Sequence, residues 1–216
     1  MTDEHTAAAA RLRATLVDHG VFSRLGAGFW EAFLRGVVRA PDGLAFVALG
    51  PSDDLAGYAV ITPDIHRLHE QVLKGRRLSM AMACAAGLAR RPYLIPAVLR
   101  AAFRPQTSHP NLLRPQWVTV MVSSAYRRRG VAAMLFQLIS AALHERGVEE
   151  FHSPVELDND ASNALQEKLG GTLDFVAPMD GVGHNIWRFH TAPLPPPPPG
   201  HVLCAEPGMP SPEAAR

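Results

Sequence analysis

The sequence holds only two cysteines in 216 residues, Cys84 and Cys204. They lie far apart, and Cys204 falls in a proline-rich stretch. No structural disulfide is expected, and the pair fits a reducing, cytoplasmic setting. A charge of one sign is also lacking. Charged residues make up 19% and the formal net charge is +1. Global charge therefore gives no reason to expect a nucleic-acid partner. No stretch reaches about 18 apolar residues free of charge, so no membrane-spanning helix is expected. The nearest run, 78–89, is bounded by Arg76-Arg77 and Arg90-Arg91. It suits a buried or interfacial helix. The first ten residues carry Asp3 and Glu4, so no secretory signal is expected there.

Several motifs are missing as well. There is no Gly-x-x-x-x-Gly-Lys-Ser/Thr, which argues against a P-loop. There is no Gly-x-Gly-x-x-Gly after a strand, which argues against a dinucleotide site. The histidines are scattered, and none forms His-x-x-x-His with a supporting acid, so no metal is expected. The chain shows no internal repeat.

What is present suffices for one well-buried domain and hardly for two, since 47% of residues are hydrophobic. Residues 1–192 are expected to form that domain. The run Pro195 to Pro199 cannot support a sheet ladder, and 193–216 is expected to be a disordered tail. Apolar residues recur at helical spacing through Leu12, Leu16, Phe22, Leu25, Phe29, Phe33 and Val37. They predict helices over 5–40, interrupted near Gly20, with one amphipathic piece from Ser23 to Arg39. Leu44–Leu49 and Tyr58–Ile61 predict a hairpin around a Gly-Pro-Ser-Asp-Asp loop. Residues 64–105 predict a helical insertion broken at Gly75, at Pro92 and at Pro96. Arg67, Lys74, Arg76, Arg77, Arg90, Arg91, Arg100 and Arg104 make it basic. These residues either face water or form a platform for an anionic substrate or a membrane surface.

The order strand, helix, strand, helix, strand over 116–192 predicts an α/β sandwich. Its strands are Gln116–Val122, Phe151–Leu157 and Asn185–Phe189, and its helices are Val131–Arg146 and Ala161–Leu169. Between the first strand and helix lies Ser-Ser-Ala-Tyr-Arg-Arg-Arg-Gly, residues 123–130. The first N–H groups of a helix have no internal partner, and the helix dipole adds positive charge there. Such a terminus suits a pyrophosphate. Small residues at Gly130, Ala132 and Ala133 allow close approach, and Arg127, Arg128 and Arg129 add charge. An ordinary basic turn before a helix fits the same residues.

Two segments together go further. Arg127-x-x-Gly130-x-Ala132 resembles the Gln/Arg-x-x-Gly-x-Gly/Ala signature of the GNAT superfamily of N-acetyltransferases. Asn159-Asp-Ala-Ser-Asn-Ala-Leu165-Gln-Glu-Lys-Leu169-Gly-Gly resembles that family's Asn-x-x-Ala/Ser-x-x-Leu-Tyr-Glu-Lys-Leu-Gly-Phe segment. The resemblance implies a mixed, mostly antiparallel central sheet flanked by helices, with splayed fourth and fifth strands. It implies acetyl-CoA, or another acyl-CoA, as co-substrate. Backbone groups of Met121 and Val122 would pair with the pantetheine arm, and one N–H would stabilise the oxyanion. The backbone through Arg128, Arg129, Gly130, Val131, Ala132 and Ala133 would hold the pyrophosphate, with Asn159 as a further contact. Asn159 is equally a good helix cap.

The pattern departs at two catalytic positions. The family's frequent tyrosine acid is Gln166 here, and its strand-four glutamate is Gln116, with Thr119 nearby. Candidates for proton transfer are His152, Glu156 and His184, each of which also suits a surface or packing role. The expected reaction is direct transfer of a short acyl group to a primary amine of a small molecule, and the basic insertion points to an anionic one. The alternative is a non-catalytic acyl-CoA-binding regulatory or scaffold module, and for either reading residues 64–105 could serve as a membrane-surface anchor. The oligomeric state is open between monomer and homodimer.

Overall fold

A computed structural model describes residues 1–17, 22–41, 43–62, 65–103, 116–179 and 182–194, with side chains at 65–67, 69, 72–77, 101–103 and 116–118 outside the described set. Helices α1 (Asp3–Leu16) and α2 (Ala27–Arg39) precede the hairpin β1 (Leu44–Leu49) and β2 (Leu55–Thr62). Helices α3 (Ile65–Arg90) and α4 (Ile95–Phe103) make up the insertion. Strand β3 (Gln116–Val122), helix α5 (Val131–His144) and strand β4 (Glu150–Glu156) follow. Helix α6 (Asp160–Lys168) and strands β5 (Thr172–Met179) and β6 (Val182–His190) complete the order.

The six strands form one sheet in the order β1-β2-β3-β4-β6-β5. Every neighbouring pair is antiparallel except β3 and β4. Those two run parallel and meet at a single rung, Gln116 with His152. Beyond it they diverge, which is the expected splay.

Two cores cover the two faces. On one face Phe29, Phe33 and Val37 of α2 fall at four-residue spacing and pack with Tyr58 and Val60 of β2. Leu68 and Met80 of α3 and Leu94 and Val98 join the same core. The insertion is thus part of the domain. On the other face Leu135, Phe136, Ile139 and Leu143 of α5 pack with Ala59, Ile61, Phe151 and Phe189. Strand β2 is covered on both sides, which explains its nearly unbroken apolar run.

Four points depart from expectation. Gly75 does not break the insertion, because α3 runs through it. A glycine inside a helix costs about 1 kcal/mol against alanine, which one position in a 26-residue helix tolerates. The break comes at Pro92, while Pro96 sits in the first turn of α4, where no N–H is needed. Strand β5 was not anticipated. It lies at the sheet edge with Leu173 and Val176 both exposed and contains Pro178, so it lacks an alternating signature. The last strand starts earlier than expected, at Val182.

Among the described residues no helix is long and apolar enough to cross a membrane. Leu78, Met82, Tyr93 and Leu99 of the insertion are nevertheless exposed. Arg67, Lys74, Arg76, Arg77, Arg104, Gly20, Cys204 and the tail beyond Leu194 bear on expectations that lie outside the described side chains or residues.

Candidate active site

Strand β3 ends at Val122 and a single 3-10 turn, Ser124–Tyr126, follows. Arg127 is extended and Arg128 adopts φ +61°. A non-glycine residue in the left-handed region is uncommon and marks a constrained turn. Gly130 then caps α5 at φ +81°, a conformation that glycine adopts without penalty. A Cβ at Gly130 would meet nothing within 4 Å, so the space before the helix is open.

No side chain caps α5 and no acid lies in its first turn. Its first backbone bond runs from the Met134 N–H to the Gly130 carbonyl, 2.9 Å. The N–H groups of Val131, Ala132 and Ala133 therefore face the open space with the positive end of the helix dipole. Arg127, Arg128 and Arg129 lie in the turn just before it and are exposed. The turn is tied to the hairpin loop. Tyr126 Oη donates to Asp54 Oδ1 at 2.8 Å, and the Arg129 guanidinium lies 5.6 Å from the Tyr126 ring centre. Gly50 leaves room for that hydroxyl, since a Cβ there would come within 2.1 Å of it.

The strand edge beside the turn can be oriented from its register. Ser123 N–H donates to the Ala56 carbonyl at 2.9 Å, and Met121 stands opposite Tyr58. Backbone direction alternates along a strand. Met121 therefore directs its N–H and carbonyl to β2, and Val122 directs its own into the gap left by β4. The two backbones expected to act together thus face opposite ways, and Val122 is the one presented to the gap.

The three proton-transfer candidates share one sheet face, because Glu156 stands opposite His184 and His152 opposite Arg188. That face lies away from α5, since Phe151 and Val155 point to the α5 core. His152 sits at the root of the splay. It is fully buried, its Nε2 lies 3.0 Å from Asp174 Oδ2, and its ring meets Phe175 edge-on. Burial pushes its pKa down, and Asp174 opposes this only in part. Along the strand it is roughly 15–20 Å short of the level of Val122. Glu156 lies four residues further on and borders the open end of the gap. His184 Nδ1 lies 2.9 Å from the Val182 carbonyl. A carbonyl only accepts, so Nδ1 carries the proton and Nε2 of the neutral ring presents a lone pair. The structure brings Glu156 and His184 together and leaves His152 apart.

Thr119 accepts a hydrogen bond from Arg13 Nη1 at 3.0 Å, and Gln166 is buried with its Oε1 unpaired. The side chain of Gln116 lies outside the described set. Asn159 caps α6, its Oδ1 accepting from the Ser162 N–H at 3.2 Å. Asn163, which sequence patterning did not single out, does more. Its Nδ2 donates to the Glu156 and Asn159 carbonyls, and its Oδ1 accepts from Asn185 Nδ2 and Trp187 Nε1. It thereby pins the end of β4 to α6 and β6. Asn159→Ala should lower stability by about 1 kcal/mol, the usual value of a cap. A urea titration measures this. Unchanged stability together with weakened acetyl-CoA binding would reverse the assignment of Asn159 as a cap.

The sequence profile of the acetyltransferase (GNAT) family matches residues 101–171, which include the turn, α5, β4 and α6. No curated protein matches the chain. Among solved structures, the GCN5-related N-acetyltransferase of Kribbella flavida is similar at 15% identity and a TM-score of 0.57, over 88% of this chain and 94% of that one. An acetyltransferase matches at 17% identity and a TM-score of 0.56, over 88% of this chain and 97% of the other. The N-acetyltransferase of Staphylococcus aureus Mu50 matches at 11% identity and a TM-score of 0.53, over 89% and 96%. At these identities the likeness establishes the fold.

Proposed function

We infer that this chain, which matches the GNAT family profile over residues 101–171 and resembles acetyltransferases in fold, moves an acetyl group from acetyl-CoA to the primary amine of a small molecule. One observation carries the inference. An open strand edge at Val122 lies beside an uncapped helix terminus with a positive surround. The first suits an amide-rich arm, and the second suits a pyrophosphate. The open space in front of Gly130 fits phosphate oxygens in contact with the backbone.

In this reading the Arg128–Ala133 backbone holds the pyrophosphate. The Val122 N–H points at the thioester oxygen and is worth most when negative charge develops there. Glu156 borders the gap on the face toward α1 and α2, from which the acceptor enters. It takes the proton that the amine loses on attack, and His184 Nε2 stands behind it to accept a proton in turn. Gln166 cannot protonate the departing thiolate, so that proton comes from solvent. Holding the amine against the thioester is itself worth roughly 7–11 kcal/mol in favourable systems.

The test is single-turnover release of free thiol from acetyl-CoA in the presence of a panel of amines. Amine-dependent thiol is the expected result. Acetyl-CoA binding without thiol across a broad panel would leave a non-catalytic acyl-CoA-binding module.

A further inference from the structure

The face toward α1 and α2 holds a polar cluster that the transfer reaction leaves unused. Arg13 of α1 reaches across to β3. Its Nη1 donates to Thr119 Oγ1 at 3.0 Å and its Nη2 to Ser23 Oγ at 3.5 Å. Its guanidinium lies 3.8 Å from the centre of the Trp30 ring. Tyr58 of β2 is fully buried, and its hydroxyl lies against Arg13 and Thr119 without closing a hydrogen bond of normal geometry.

Three buried polar atoms here close no hydrogen bond of normal geometry: Arg13 Nε, Trp30 Nε1 and Tyr58 Oη, the last held only by its looser contacts with Arg13 and Thr119. All three carry a hydrogen to donate. Burial lowers the Arg13 pKa and raises that of Tyr58. Among the described residues no carboxylate pairs with Arg13. A desolvated cation without a counter-charge is costly, and so is each buried donor left unsatisfied. One planar anion in their midst would relieve both costs. Ser23, which accepts from Arg13, connects the cluster to a cavity of about 330 Å³ that Ala14, Val17, Arg24 and Arg91 help to line and that Arg13, Trp30 and Tyr58 do not themselves reach. Two further arginines at the cavity favour entry of an anion.

We propose that Arg13, Trp30 and Tyr58 form a subsite for a carboxylate carried by the acyl acceptor. The proposal rests on the transfer reading for the role of the ligand, and on the cluster alone for its charge. Two guanidinium nitrogens are already engaged, so one Nε, one indole N–H and one hydroxyl remain. Three donors suit the two oxygens of a carboxylate. Thr119 lies three residues from Val122, or roughly 10 Å along the strand. The acceptor is therefore an amine whose acidic group sits about that far from the nitrogen.

The probes are the ω-amino acids from 4-aminobutanoate to 8-aminooctanoate, each beside its neutral amide, titrated into the full chain by calorimetry with coenzyme A present. The longer acids should bind at least about tenfold more tightly than their amides, as expected for a charge-assisted bond. That ratio should fall to near one in Arg13→Gln. Tyr58→Phe keeps the buried ring and should reduce the ratio even if Arg13→Gln folds poorly. Equal binding of acids and amides, no binding by any acid, or a ratio preserved in both variants would overturn the subsite. Heat protection by acetyl-CoA, measured on the same samples, reports separately on the donor side. Its absence would sink the transfer reading while the acid-to-amide ratio still decides the subsite.

Discussion

Gly130→Glu is expected to abolish the protection against heat that acetyl-CoA gives the unaltered chain. A ligand at a hundredfold excess over its dissociation constant stabilises a fold by about 2.7 kcal/mol. For a chain of this size that is a rise in Tm of roughly 5–10 °C. The glutamate places a negative charge where three helix N–H groups converge on open space. Its effect on the fold should be small. A Cβ at Gly130 meets nothing, so the cost is the left-handed backbone, about 1–2 kcal/mol for a residue with a side chain. Gly130→Asn is the control, because asparagine tolerates that conformation and brings no charge. It should keep most of the protection. Full protection in Gly130→Glu would remove the pyrophosphate from this turn.

The second large effect is expected at Glu156. Glu156→Gln keeps shape and hydrogen-bonding reach but cannot take a proton. Loss of a general base typically costs about 10²–10⁴ in rate. The loss should appear in kcat, with acetyl-CoA protection unchanged, because the side chain faces the acceptor and not the turn. His184→Gln should cost less, since β4 stands between β6 and the gap. A normal kcat in Glu156→Gln with an inactive His184→Gln would move the base to His184. A normal kcat in both would mean that solvent carries the proton.

The elements that carry the proposed donor site were largely legible in the sequence because they are local. A strand, a basic turn, a glycine and an apolar helix follow one another from Gln116 to His144, and each has its own signal. The hairpin and α6 were legible for the same reason. The direction of the Val122 backbone was not, because it depends on register with β2, a long-range fact. Strand β5 escaped because an edge strand with a proline and exposure on both faces carries no pattern. The cluster proposed to meet the acceptor escaped most completely. Arg13, Trp30, Tyr58 and Thr119 come from two helices and two strands, and nothing in their spacing predicts that they meet. Arg13 is one charge on an alanine-rich helix, and only the fold sets its guanidinium 3.8 Å from the centre of the Trp30 ring.

The single rung between β3 and β4 has a consequence for the life of the protein outside catalysis. A strand edge with unspent N–H and carbonyl groups is a template for any extended chain, and proteins ordinarily shield such edges against aggregation. If the proposed donor arm lies along this edge, it covers the edge as well as completing the sheet. In that reading the chain bares an adhesive seam when acyl donor is scarce and hides it when donor is plentiful, so its resistance to aggregation should follow the supply of its own substrate.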